Sequence, residues 1–475
     1  MPYNYQANNI NNGFVSSFGD PLQDKIGTIY DLPNKIYAKY INNLQSEIVT
    51  MQQRSSRINK DKVYLSDVDC PTDGVTSSVP AIKLALSKVA ASRGTVIVNS
   101  CINGYVIDDF FTIPEGVALL SEEVWTVRNV YDSSSGPDIK KDATFLMKHG
   151  QGDALATPTI TVLFGAALQG IRFFWPNQPR IAPPIEFPFA IALRGSDSLL
   201  SNLTFINCYQ GIEGRCRQWR PNIHRIKGCF LKKGIVLDGT IDVAQLSDIF
   251  MSFGFWQELD ISMIYWIAKN LECLELGRND QILMDKIFFW NAKTGFKFTP
   301  SLITEILGTT TYGNLVNWGT DLCSVGFDIS SVGHMQVVGG GMATGSYDNQ
   351  VPIAIGINDT GSQSGKVTFT GTSFWAGPCT TNVLKTANSK VSYGFNGCQT
   401  NNWDISRQGI ACFDLGGQPR LRVNGCEFSV ASAHLNLANY TGTAKPIFTG
   451  NDFGTPISVL NQGAKTIIDV GNNIA

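Results

Sequence analysis

The chain has 475 residues and a formal net charge of −2, from 37 basic and 39 acidic side chains; 43% of residues are hydrophobic and only 16% are charged. So balanced a charge excludes the basic field through which nucleic-acid binders displace counterions. No apolar stretch reaches the roughly 18 residues that would mark a membrane span. Charged residues fall below the roughly 25% of ordinary domains, while 46 glycines and abundant Asn and Thr predict a surface of amides and hydroxyls over many short strands and tight turns.

Residues 1–31 are rich in Asn, Gly and Ser and carry no periodicity, as in a segment that is either disordered or ordered only against a partner. Met1 to Asn12 is polar, without a basic stretch followed by an apolar one, so no secretory signal is expected and synthesis in a cytoplasm is. A helix is predicted over 32–60. Pro33 suits its first turn and Asp31 its cap. Tyr37, Ile41, Leu44, Ile48, Met51, Ser55 and Ile58 alternate at spacings of four and three, an a/d seam sustained for about three heptads. A helix lying on the chain's own body would need a wider apolar stripe, so self-association is expected, most naturally three-stranded.

From Val63 the pattern changes to short strands. Val63–Leu65, Thr95–Val98, Tyr105–Ile107 and Val117–Leu120 are apolar or β-branched runs parted by Gly or Pro. Between the first two, residues 81–91 predict a short helix offering Ile82, Leu84, Ala85, Leu86 and Val89 for burial. Its expected role is a lid over the end of a strand stack, which would otherwise expose apolar core and unpaired backbone. Beyond residue 160 a loose repeat sets in: an apolar strand, a small polar or glycine turn, then often an aromatic. It recurs at 168–175, 200–208, 223–230, 246–253, 284–290, 367–374, 391–398, 421–428 and 447–453. Starts about 20 to 50 residues apart fit coils of fixed cross-section with variable loops, and not the steadier period of a propeller. Asn207, Asn396, Asn424 and Asn451 at the bends suit left-handed backbone and stacking of amides along the axis.

The 11 cysteines form no CxxC pair, and Cys208, Cys229, Cys398 and Cys426 fall in strand-like runs as small buried hydrophobes. His149, His224, His334 and His434 show no metal-ligand spacing. No nucleophile elbow, P-loop or dinucleotide fingerprint is present, and Gly339–Gly341 is most simply a turn. No cofactor or metal is expected.

Asp67–Thr76, Ala81-Ile and Ala85-Leu, Gly94–Val98, Gly104–Ile107 and Ile113–Leu119, in this order and spacing, form a series of about 55 residues. The series resembles the lead-in of the pectate-lyase-like β-helix superfamily, found in phage tailspikes and many polysaccharide-cleaving enzymes. It departs from the family at Ser77–Pro80, where Asp-Asp-Thr usually follows the Asp-Gly-x-Thr turn. The resemblance implies an all-β fold, a right-handed single-stranded parallel β-helix with a short N-terminal coiled-coil-like helix and a capping helix. It also implies a parallel homotrimer docked to a phage tail or baseplate through residues 1–60, made in the host cytoplasm. The lead-in of this family carries no catalytic residue, so it speaks for architecture alone.

The expected organisation is a docking segment at 1–31, a trimerising helix at 32–60, a lead-in and cap at 61–125, and the β-helix body at 126–475. A spike of this kind is expected to bind, and to cleave, a bacterial surface polysaccharide, by hydrolysis rather than elimination. The alternatives are a non-enzymatic adhesion or structural spike and a free polysaccharide lyase or hydrolase, against which the heptad segment argues. Hydrolysis calls for two carboxylates about 5–9.5 Å apart, a separation that strands about 4.8 Å apart supply on adjacent or next-but-one coils. Aligning coils on Cys208, Cys229 and Ser252 brings Glu213, Asp238, Glu258 and Asp260 together as the catalytic candidates. Arg215, Arg217, Trp219, Trp256, Tyr265 and Trp266 are the expected substrate-binding residues, the aromatics by stacking on sugar C–H faces. The competing expectation is ordinary salt bridges and core tryptophans. Glu272, Glu275, Asp280 and Asp285 are expected as solvated surface on a loop.

Overall fold

A computed structural model describes residues 61–121, 143–256, 259–304, 310–345, 347, 352–357, 365–375, 380–417, 420–429, 435–440, 446–453, 457–461, 468–470 and 473–474. The chain's contacts divide into two units, Met1–Lys62 and Val63–Ala475, and the second is the subject here. The docking segment, the heptad helix and Glu258 lie outside the described residues.

Helix α1 (Val79–Ala90) buries Val79, Ile82, Ala85, Leu86 and Val89. Leu84, expected inside, is 48% exposed: it sits on the opposite side of a helix whose inward stripe runs through 82, 85, 86 and 89. After α1 the chain visits three sheets in turn, all pairings being parallel. Sheet 1 runs from Thr95–Val98 through Ala118–Ser121 and Ala167–Gln169 to Leu200, Ile223 and beyond. Sheet 2 runs from Tyr105–Ile107 through Thr144–Met147 and Arg172–Phe174. Sheet 3 runs from Phe111–Ile113 through Ile160–Val162 and Phe189–Leu193. The order 1, 2, 3 then repeats, and the last rungs described are Ile468–Val470, Asn473–Ile474 and Ile457–Asn461. The chain is a parallel β-helix, as the lead-in and the repeat predict.

Parallel register stacks like on like. One inward row of sheet 1 reads Leu119, Leu168, Leu200 and Ile223 and, further along the stack, Leu246, Met284, Leu315, Val337, Phe369, Phe395, Val423 and Phe448, all buried. Aromatic rings meet face to face where rungs repeat them: Phe173 on Phe205 at 4.8 Å, Phe296 on Phe327 at 4.7 Å, Phe369 on Phe395 at 5.4 Å. These separations are close to the spacing between strands, so the backbone itself sets the ring stack. The described cysteines are free, and Cys208, Cys229, Cys273, Cys323, Cys398, Cys412 and Cys426 are buried in this core.

The bend from sheet 1 to sheet 2 has a constant backbone and a changing residue. Gly170, Asn202, Arg225, Asp248, Lys286, Asn317, Gly339, Gly371, Gly397, Gly425 and Gly450 follow one another there, each with φ between 51° and 75°. Glycine adopts this region freely, whereas an L-residue in it costs about 1–2 kcal/mol. Of the asparagines expected in left-handed backbone, Asn207 has φ 55°. Asn396 and Asn424 instead precede the left-handed glycines, and their amides bond to each other along the axis at 3.1 Å. Asn451 is buried and accepts from Cys426 N–H at 2.9 Å.

Candidate functional site

Sheet 3 presents one face to the core and one outward, because strand side chains alternate. Ile212, Ile235, Leu274, Phe296 and Phe327 line up inward. The neighbouring outward row reads Ala192, Glu213, Val236, Glu275, Lys297 and Asp328. Three carboxylates therefore occupy one row of one face.

Cations separate them. Arg194 bonds Glu213; Arg215 reaches Glu213 at 3.9 Å and Glu275 at 3.6 Å. Lys233 bonds both Glu272 and Glu275, and Lys297 donates to Glu272 at 2.8 Å. The two ends of this network are shifted in opposite directions. Burial alone would raise the Glu272 carboxyl, but hydrogen bonds from Lys233 and Lys297, with their charges, outweigh it and hold it at about 2. At Asp328 burial wins: the carboxyl is raised above its usual range, with Lys297 pulling it down, Glu272 pushing it up and Lys293 pulling again. Asp328 pushed up and Glu272 pushed down on one face is the kind of divergence between carboxyls from which acid and base roles are assigned.

Both margins of this face are built up. At the sheet 2 side the chain leaves the coil after Ser252, passes a short turn at Phe253–Phe255 and forms helix α2 (Ile261–Asn270), then returns as strand Glu272–Leu276. Asp260 caps α2, accepting from Ser262 N–H at 2.8 Å. Trp266 packs beside Tyr209 at 6.3 Å and under the Lys232 ammonium at 5.9 Å, while Tyr265 is 48% exposed and meets Tyr347 at 6.0 Å. At the sheet 1 side Trp219, 39% exposed, carries the Arg217 guanidinium at 5.6 Å. Asp238 ties down the segment at 301–303: its Oδ1 accepts from Arg278 N–H (2.8 Å) and Ser301 Oγ–H (2.6 Å), and its Oδ2 from Leu302 N–H (2.9 Å).

The structure thus brings together only part of the expected set. Glu213 and Arg215 stand on the outward face as expected. Asp238 is a buried anchor whose lone pairs serve backbone and hydroxyl donors, an arrangement at odds with proton transfer to a substrate. Asp260 sits at the tip of α2 on the margin, because the next rung of sheet 3 is Glu272–Leu276. Trp256 is buried in the core, as the competing expectation had it. Arg217, Trp219, Tyr265 and Trp266 flank the face without joining its network. Glu272 and Glu275, expected as solvated loop, are strand residues at its centre. Asp328 carried no signal in the sequence beyond alternation within Val325–Ile329.

No family profile matches the sequence, and no curated protein matches it. Solved structures do. The tailspike protein of E. coli bacteriophage HK620, in complex with a pentasaccharide, superposes with a TM-score of 0.53 at 9% identity, over 88% of this chain and 79% of that one. Geobacillus virus E2 ORF18 matches at 12% identity and a TM-score of 0.37, over 86% of this chain; the chain spans 64% of that protein's length. An α-1,3-glucanase catalytic unit from Streptomyces thermodiastaticus matches at 14% identity and 0.45, over 87% and 68%. The fold is that of a tailspike-like parallel β-helix.

Proposed function

We propose that this chain is the body of a phage tailspike that binds a bacterial surface polysaccharide along the outer face of sheet 3 and hydrolyses it there. The observation that carries this is the meeting, on the outward side of one sheet, of a carboxyl raised by burial (Asp328) with one lowered by two lysines (Glu272). The pentasaccharide bound by the HK620 tailspike supports a saccharide as the ligand. Tyr265 and Trp266 on one margin and Trp219 on the other offer ring faces to sugar C–H groups.

In this scheme Asp328 donates its proton to the glycosidic oxygen as that bond breaks. Glu275 takes a proton from water, whose oxygen bonds to the anomeric carbon from the opposite side. Glu275 and Asp328 are two rungs apart with Lys297 between them, about 9.6 Å along the stack, close to the ~6.5–9.5 Å of inverting enzymes. Arg215 and Lys297 orient the anionic partner and the sugar hydroxyls.

A spike that binds without cleaving is the second possibility, favoured by the fact that Glu213, Glu272 and Glu275 are all ion-paired. Incubating the purified protein with capsule or O-antigen of its host and following chain length and the anomer released separates the two. Shortening with inversion is expected; unshortened polysaccharide that still binds leaves the adhesion spike. For assembly, residues 32–60 are proposed to trimerise the chain and residues 1–31 to dock it to the tail. Sedimentation with and without residues 1–60 tests this, and a monomer with them present overturns it.

A further inference from the structure

We propose that Cys398 and Cys426 form an oxidation site, at which a hydroperoxide joins two successive rungs of the β-helix by a disulfide. Each cysteine follows the left-handed glycine of its bend, Gly397 or Gly425. The register on either side, Asn396 with Asn424 and Gln399 with Glu427, sets the two opposite each other. Cys208 and Cys229 miss this arrangement, because a register shift puts Cys208 opposite Phe230. Neighbouring strands stand about 4.8 Å apart, inside the ~4.4–6.8 Å between Cα atoms that disulfides span.

The two thiols occupy the same seat one rung apart. Cys398 donates to the carbonyls of Phe369 and Asn396, both at 3.6 Å, and Cys426 to those of Phe395 and Asn424, both at 3.5 Å. The Cys398 N–H in turn donates to Cys426 Sγ at 3.4 Å. Side chains seated alike point alike, so their Cβ atoms stand about one strand spacing apart and need to close by only a few tenths of an ångström to reach disulfide geometry. The sulfurs also differ. The hydrogen bond with Cys426, with N–H donors at Thr372, Asn396 and Gly371, outweighs burial and holds the Cys398 thiol below its usual range. The same bond, followed by burial, pushes Cys426 up. Cys398 is thus the thiolate that attacks and Cys426 the thiol that resolves.

A hollow of about 300 Å³ opens on this bend, lined among others by Gly371, Thr372, Gly397, Cys398, Gln399 and Gly425, while Cys426 is not part of its lining. At Gly371, Gly397 and Gly425 a Cβ would meet nothing within 4 Å, so the floor of the hollow stands open. Cys398 and Cys426 are themselves only 2% and 3% exposed, which favours a reactant little larger than water and shuts out bulky disulfides. In the first step the Cys398 sulfur bonds to one peroxide oxygen as the O–O bond breaks, and the departing hydroxide leaves as water with the Cys398 proton. In the second the Cys426 sulfur bonds to the Cys398 sulfur, the S–O bond breaks, and the hydroxyl leaves as water with the Cys426 proton. Two thiols and one hydrogen peroxide become one disulfide and two waters. The bond spans 28 positions of chain, so the rungs beyond it stay tethered when that end of the stack opens.

This site needs no chemistry at sheet 3 and no saccharide. The test is to treat the full chain with hydrogen peroxide, block the remaining thiols and map the peptides by mass. A crosslink between Cys398 and Cys426, two hydrogens lighter than the separate peptides and reversed by dithiothreitol, is expected. In Cys426→Ser, Cys398 should stop as a sulfenic acid that dimedone traps; in Cys398→Ser, Cys426 should stay a thiol at the same dose. The oxidised parent should unfold in urea several-fold more slowly than the reduced one, a difference absent from both variants. Excess peroxide that leaves both parent thiols free, pairs either of them with another cysteine, or reacts first at Cys426 overturns the proposal.

Discussion

Arg215 stands directly opposite Asp238 in the register of neighbouring rungs, yet its guanidinium reaches back to Glu213 and on to Glu275. Asp238 turns instead to the backbone of Arg278 and Leu302. Two residues that adjoin in the strand ladder thus belong to different structures, one to the charge network on the outward side of sheet 3 and one to a buried anchor.

Asp238→Ala is accordingly expected to act on stability. It removes three hydrogen bonds to a charged acceptor and strands buried donors, a loss of about 3 kcal/mol. Thermal unfolding should shift down, and limited proteolysis should cut first at 299–304. A variant of unchanged Tm that has lost only its effect on polysaccharide would return Asp238 to the catalytic set.

Asp328→Asn and Glu275→Gln are the corresponding tests of chemistry. Each should lower the cleavage rate roughly 10²–10⁴-fold with saccharide affinity changed little. Asp328→Asn should also leave Tm unchanged or slightly higher, because the amide carries no charge to desolvate. Full activity in both variants would remove the sheet 3 face from consideration as the catalytic site.

Acid should unlock this face. Glu272 goes from 4.5 to about 2 on folding, so its contribution is present above pH ~4.5 and fades as pH falls toward 2. After allowance for solvent screening it amounts to about 2 kcal/mol. Asp328 acts with the opposite sign: its raised carboxyl destabilises the fold as pH rises through its folded value. Glu272→Gln should therefore flatten the loss of Tm between about pH 4.5 and 2, and an unchanged acid limb would show that the Lys233–Glu272–Lys297 contacts add nothing.

Phe327→Ala probes the core. Phe327 is fully buried and meets Phe296, Phe298, Trp318 and Phe369, so truncation should cost about 3–5 kcal/mol. Unfolding in urea, read as midpoint or as rate, is the measurement. A loss below about 1 kcal/mol would mean that the stack collapses around the gap.

The fold was legible because its signals are local. Thr95–Val98 and Tyr105–Ile107 fall where alternation and flanking glycines put them, and α1 is off by two residues at its start and one at its end. The site was less so, for one reason in particular. Aligning coils on Cys208, Cys229 and Ser252 treats residues 257–260 as the rung after Asp238, but the next rung of sheet 3 is Glu272–Leu276. The excursion had a signature: Asp260 as a helix cap, with Met263 and Ile267 one turn apart facing inward. Reading it first would have put Glu275, and not Glu258, two rungs from Glu213. Asp328 would still have been missed, because what singles it out is burial and the lysines around it, which belong to other coils.

In the β-helix, each rung is a template for the next, and each sheet pairs a strand only with its two neighbours along the axis. Such a chain grows as a one-dimensional crystal does, by adding to an end. A defect in a rung then acts as a block to growth and not as a uniform loss: strands on the near side keep their partners, and those beyond wait. Variants in the middle rungs, Phe327→Ala among them, should for this reason slow the yield of native protein during synthesis more than they speed the unfolding of molecules already complete.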